Sequence, residues 1–245
     1  NSHARFAIEA LENDKHVFEE KPLALTLEEL NKVIKAESKS AGSVTVGFNR
    51  RFSPHIKAMK KSVGSPQMNI IATMNAGFIP SNFWVHDMEV GGGRIIGEAC
   101  HYMDLCAHIA GSKIDSVCMQ GLGTNPQENT DNASILLKFE NGSTAVINYF
   151  SNGSKSYSKE RLEVYSQERT FVMDNFRSTK SFGVRGFKNI KTKLDKGHNA
   201  QFEGYIKFLK NGGEPLIKFE EIVNVTRASF AALLSLKESR WVHIN

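Results

Sequence analysis

The apolar pattern of this chain changes period near residue 66, and that change limits what it can fold into. Before it, helical and extended stretches alternate. Residues 2 to 13 form an amphipathic helical stretch, "HVFEEKP" is a short strand stopped by Pro22, and "TLEELNKVIKAESKS" is helical, with Thr26 as N-cap and Glu29 at the capping-box position. "SVTVGFNRRF" is a β-rich run, and Pro54 opens a short helix, "HIKAMKKSV". Such alternation implies a parallel sheet. Beyond residue 66, "QMNIIATMNAG", "KIDSVCMQGLG", "NASILLKFENGSTAVINYFSNG" and "RLEVYSQERTFVMDNF" read as successive strands, with 133–139 and 144–150 joined through Asn141-Gly142 as a hairpin. A basic, loop-like stretch from about 177 to 197 leads back to helices at "NAQFEGYIKFLKNGG" and "FEEIVNVTRASFAALLSLKESR". The expected fold class is α/β: a piece of a parallel sheet, then a larger α+β domain with a mostly antiparallel open sheet.

With 245 residues, 40% of them hydrophobic, the chain can bury a substantial core. Lys and Arg outnumber Asp and Glu by 31 to 26, a net charge of +5, yet no basic run flanked by stacking aromatics occurs. Neither nucleic acid nor a membrane surface is an expected partner. Cys100, Cys106 and Cys118 lack the spacing of a zinc site or a disulfide framework, which points to a reducing, cytoplasmic setting. No apolar run approaches the roughly 20 residues of a membrane span, and no signal peptide is read. Asn141-Gly142-Ser143 and Asn152-Gly153-Ser154 read as turns rather than glycosylation acceptors.

Two stretches carry the candidate chemistry. "EEKPLALT" sets Glu20, Lys21 and Pro22 at the carboxyl end of a strand, the edge where open α/β sheets bind ligands. Proline confines Lys21 to an extended backbone. An ammonium held there orients a substrate hydroxyl and lowers its pKa; the alternative is a solvated lysine. In "GGGRIIGEACHYMDLCAHIAGS", helical spacing puts Ile96, Ala99, Met103, Cys106 and Ala110 on a core face, and Glu98, His101, Leu105 and His108 on another. A carboxylate one turn from an imidazole fixes the tautomer and raises basicity. A polar face that is merely wet, or metal binding through Glu98 and His101, are the competing readings. The three glycines allow close approach to a ligand, or a mobile loop. Gly91, Gly93 and Gly97 also spell a loose dinucleotide fingerprint, which is rejected because no βαβ unit follows it.

"HVFEEKPLALTLEEL", "VGFNRRFSP", "GGGRIIGEACHYMDL" and the helices after "GHNAQF" occur in the order that resembles the Gfo/Idh/MocA oxidoreductase family. The closer likeness is to the branch fused behind a zinc-type alcohol dehydrogenase-like module, associated with bacterial cell-surface polysaccharide synthesis. The resemblance implies a Rossmann domain binding NAD or NADP, here its C-terminal part over 1–53, followed over 54–245 by a domain that binds substrate and mediates homo-oligomerisation. It implies oxidation of a secondary alcohol of a sugar, nucleotide-sugar or polyol, or the reverse. Lys21 matches the lysine of the Glu-Lys-Pro motif near nicotinamide and substrate, His101 the general acid/base, and Asp104 a recurrent aspartate. Two departures follow. The aspartate expected four residues before the histidine is Gly97, with Glu98 beside it, rotated by about 100° on a helix. The glycine-rich phosphate turn is expected upstream of residue 1, so the fragment is expected to bind dinucleotide weakly.

Further substrate-binding candidates are Arg50 and Arg51 of "FNRRF" as an anion clamp, Trp84, His86 and Asp87 of "FWVHD", with Trp84 able to stack on a sugar ring, and His198 of "KGHNAQ". Two other classes remain: a non-catalytic binding or oligomerisation module, and a metal-dependent enzyme using Glu98, His101, Asp87 and His86.

Overall fold

The computed structural model describes residues 1–244. α1 (His3–Glu12) buries Ala4, Ala7 and Leu11 along one stripe. β1 (Val17–Glu19) runs parallel to β2 (Val44–Val46), with α2 (Leu27–Glu37) as the crossover. Thr26 caps α2 by accepting from the Glu29 amide at 3.1 Å, and the Glu29 carboxylate accepts at 2.8 Å from the amide of Leu25, one residue earlier than a capping box requires. The β-rich run is shorter than its sequence suggests. β2 stops at Val46, and Asn49–Phe52 form a 3-10 turn before α3 (Pro54–Val63). In a strand Arg50 and Arg51 would point to opposite faces, whereas this turn lets both enter the interior and find carboxylates.

β3 (Asn69–Asn75), β4 (Ile114–Gly121), β5 (Asn132–Phe139), β6 (Thr144–Phe150), β7 (Glu160–Ser166), β8 (Arg169–Asp174), β9 (Ser178–Phe182), β10 (Ile190–Lys191) and β11 (Val242–His243) form one sheet in the order β10-β9-β8-β7-β3-β6-β5-β4-β11. All neighbours are antiparallel except β3 with β6. The β5–β6 hairpin turns where expected, with Gly142 at a φ of 83°. The stretch from 177 to 197, expected as loop, instead supplies β9 and β10. "STKSF" has too few apolar side chains to announce a strand, and pairing with β8 orders it.

Alternate residues of the central strands, among them Ile70, Ala72, Ile135, Leu137 and Ile147, are buried on the face that carries α4 (Cys100–Ala110) and α6 (Phe219–Glu238). The opposite face leaves Ile71, Leu136 and Tyr165 exposed. α5 (His198–Asn211) packs on the 3-10 turn, and its Phe202 stacks on Phe18 of β1 with ring centroids 4.6 Å apart. α6 touches both β4 and β2, which ties the two sheets together. Among the described residues no helix is long and apolar enough to cross a membrane.

Candidate active site

The carboxyl end of β1 opens on a cleft of about 470 Å³ whose walls include Lys21, Pro22, Trp84, Gly91, Gly97 and Glu98. The Lys21–Pro22 peptide is cis. Lys21 Nζ donates to the Gly97 carbonyl at 2.7 Å, which anchors the ammonium at the cleft wall. The helix it touches begins irregularly: Ile95–Ala99 form a π turn that runs into α4. A π turn holds one residue more than an α turn, and this shifts the helical register at Gly97 and Glu98. Glu98 accepts from Tyr149 Oη at 2.5 Å and Arg94 Nη2 at 3.3 Å. Burial raises its pKa, but the tyrosine, Arg94 and Lys21 together outweigh this and hold the carboxyl below its ordinary value. The cleft therefore presents an anchored ammonium and an ionised carboxylate.

His101 stands behind this wall, 8% exposed, with Phe48 edge-on to its ring at 6.0 Å. The expected Glu98–His101 pairing does not form, because the π turn directs Glu98 to Tyr149 and Arg94. His101 Nδ1 is sealed in the interior without a partner. Burial first, then the positive charges of Arg50, Lys21 and Lys196, push its pKa well below the usual histidine value. The ring is neutral. The wet-face reading of α4 also fails, since His101 and Leu105 are buried along with the core face.

Arg50 and Arg51, expected at the substrate, and the recurrent Asp104 are internal structure. Arg51 Nη2 meets Asp104 Oδ1 at 2.5 Å, and its Nη1 meets Glu221 Oε2 at 2.8 Å. Arg50 Nε donates to Glu160 Oε2 at 2.8 Å, and Tyr102 Oη donates to the same oxygen at 2.7 Å. Guanidiniums already satisfied by buried carboxylates have no fork left for a ligand anion. Asp104 has no exposed surface at all.

Glu20 is exposed and packs its carboxylate against Gly47 instead of lining the cleft. Asp87 caps a turn by accepting from the amides of Glu89 and Val90, and His86 Nε2 is buried without a partner. Trp84 is 57% exposed at the cleft wall. His198 begins α5 and lies close enough to bear on His101. The glycines serve local packing: a side chain at Gly91 would strike the Trp84 carbonyl at 2.5 Å, and Gly92 and Gly93 adopt φ of 73° and 70°. Among the described residues no group of three or more His, Cys, Asp or Glu is placed to share a metal ion, and the metal reading loses its Glu98–His101 pair.

Two family models match in the order of the two sheets. The oxidoreductase family's NAD-binding Rossmann fold matches residues 1–48, and the GFO/IDH/MocA C-terminal domain matches residues 61–172. This chain belongs to the Gfo/Idh/MocA oxidoreductase family. Myo-inositol 2-dehydrogenase of Thermotoga maritima is 27% identical over all of this chain and 77% of its own length. The uncharacterized oxidoreductase YrbE of Bacillus subtilis is 33% identical over 72% of this chain and 53% of that protein. A levoglucosan dehydrogenase solved with NADH and levoglucosan shares the fold at a TM-score of 0.83 and 20% identity, over 100% of this chain and 78% of that one.

Members of this Gfo/Idh/MocA family are NAD-binding oxidoreductases, and the cleft suits the nicotinamide end of that cofactor. Lys21 and Pro22 sit at the carboxyl edge of the parallel strands, and the apolar side chains of Ala24, Leu25, Val85 and Val90 complete a surface for a flat ring. Four residues of the site escaped the sequence reading: Arg94, Tyr149, Glu160 and Lys196. Arg94 had a signal, because Glu98 lies four residues on. Tyr149 had the weaker one of an inward position in β6.

Proposed function

We propose that the protein interconverts a secondary alcohol and a ketone on a sugar, nucleotide-sugar or polyol. The observation that carries this reading is the anchored Lys21 ammonium and the ionised Glu98 in one cleft, backed by a neutral His101. The likeness to a myo-inositol 2-dehydrogenase supports a polyhydroxylated substrate. Bound NAD supplies the hydride acceptor. Lys21 donates to the reacting hydroxyl and stabilises the developing alkoxide. His101 takes the hydroxyl proton at Nε2, since Nδ1 is sealed. Glu98 accepts from a neighbouring hydroxyl, in place of the aspartate that the family carries where this chain has Gly97. Trp84 stacks on the apolar face of the ring.

A titration with NADH followed by oxidation assays over inositols and pyranoses tests the reading. Lys21→Ala and His101→Ala are each expected to lower kcat by about 10²-fold or more while NADH affinity holds. Turnover that survives either change removes that residue from the mechanism.

The same reading extends to organisation. Residues 1–53 serve the cofactor and 54–245 the substrate. Copies pair through the open sheet face, where Cys118, Leu136, Val146 and Ile71 lie side by side in register. The three free cysteines suit a reducing cytoplasm.

A further inference from the structure

The buried histidine is overlooked from the far side by a segment that neither the motifs nor the cleft account for. Residues 190–198 cross behind the site as a strap, and the chain ties it down closely. Both ring nitrogens of the buried His55 bond strap-side hydroxyls, Thr179 at 2.8 Å and Thr192 at 2.9 Å. Ser53 Oγ donates to the Asp195 carbonyl and Asn49 Nδ2 to the Lys196 carbonyl, each at 2.8 Å. At Gly197, φ is 87° and a side chain would come within 2.4 Å of the Ser53 amide. The backbone of Lys196 is thereby fixed against the 3-10 turn that carries Arg50.

Its side chain is fixed too. Lys196 Nζ donates to Glu160 Oε1, and the other carboxylate oxygen takes Arg50 and Tyr102, the residue after His101. Glu160 has no exposed side-chain surface, whereas Lys196 keeps 19% of its own. The cations that bear on the imidazole are Lys21 after β1, Arg50 in the 3-10 turn and Lys196 on the strap, with the titratable His198 on α5; the nearby acidic groups are Glu160, which Lys196 and Arg50 pair with, and Glu98 and Asp104, three residues to either side of His101 in the sequence.

We propose that Lys196 is a positioning residue for His101: tied to Glu160, which also takes Arg50 and the neighbouring Tyr102, it adds a fixed positive charge to those of Arg50 and Lys21 on the ring's side of the fold. The assignment rests on the dehydrogenase reading for its purpose, but its test does not. A neutral imidazole is the form that accepts a proton, and a nearby cation keeps it neutral to lower pH. Lys196 thus sets how far the pH must fall before His101 is protonated and lost as a base.

The test follows the His101 ring by NMR in ring-labelled protein from pH 4 to 8, with His101→Ala used to assign its signal. Lys196→Met is expected to increase the proton affinity of His101 by about tenfold, a one-unit rise in its midpoint, with the histidines remote from the strap, such as His16 and His243, unmoved. Lys196→Arg is expected to restore the native titration, a rescue that a purely structural role for the lysine stem would not give. Arg50 still pairs with Glu160 in these variants, and Lys196→Gln provides a second neutral side chain if the methionine variant folds poorly. A His101 titration identical in native and neutral variants, including one flat across the range in both, overturns the proposal. Because the readout is the ring itself, loss of the dehydrogenase reading would appear separately, as absent turnover with the titration shift intact.

Discussion

Two buried glutamates sit at strand ends in the two sheets, and the same burial leaves them in opposite states. Glu19 closes β1 in the small parallel sheet. It is 9% exposed, its Oε2 has no hydrogen-bond partner, and burial alone pushes its carboxyl up to about 8. Glu160 opens β7 in the large sheet and is deeper still. Burial raises it as well, but Arg50 and then Lys196 outweigh that and hold it at about 2. Depth alone does not set the charge of a carboxyl group; the cations that the fold carries to it do. The large sheet therefore keeps an ionised carboxylate bound by Arg50, Lys196 and Tyr102, while the small sheet keeps a carboxylic acid that is mostly neutral at pH 7.

Removing the partners' anion gives the largest expected effect. Glu160→Gln leaves Arg50 and Lys196 facing no negative charge, and urea unfolding at pH 7 is expected to show a loss of about 3–5 kcal/mol. A carboxyl held low in the folded state stabilises above its unfolded value of 4.5, and that contribution disappears as pH falls through about 2. The gap between native and variant should therefore narrow across that window, and a gap constant with pH would mean that packing, not charge, was lost.

Glu19→Gln should act with the opposite sign. A carboxyl held high is an asset below its unfolded value and a growing cost as pH rises through about 8. The variant is expected to be more stable than the native protein at pH 8, by at most about 4 kcal/mol, the ceiling set by a rise from 4.5 to about 8, and indistinguishable from it near pH 4. Destabilisation at pH 8 would show that Glu19 has a partner when ionised. The smallest effect belongs to an ion pair that never leaves water: Lys32→Ala breaks a 2.7 Å contact to Glu28 on the exposed side of α2, and no measurable change in unfolding midpoint is expected.

Much of the fold was legible locally. The Thr26 cap, the Asn141-Gly142 hairpin and the amphipathic helices over 198–211 and 219–238 depend on neighbours within a few residues, and each appears where the pattern put it. β9 was not legible, because its order comes from pairing with β8 rather than from its own side chains. The site divided in the same way. Lys21 could be placed from a strand end and a proline. The π turn that redirects Glu98 has no local mark in "RIIGEA", and a straight helical projection paired that glutamate with the wrong partner.

The adjacent arginines draw the line most clearly. "FNRRF" announces two cations and nothing of their fate. Arg50 meets Glu160 across 110 residues, and Arg51 meets Asp104 across 53 and Glu221 across 170. By itself the sequence determined most of the helices, the central strands, their caps and turns, and the strand end that carries Lys21, because periodicity and hydrogen bonding act over one or two turns. Only the tertiary structure decided which charges are neutralised, which remain open at the cleft and which surround His101, because desolvation and Coulomb forces follow distance in space and not distance along the chain.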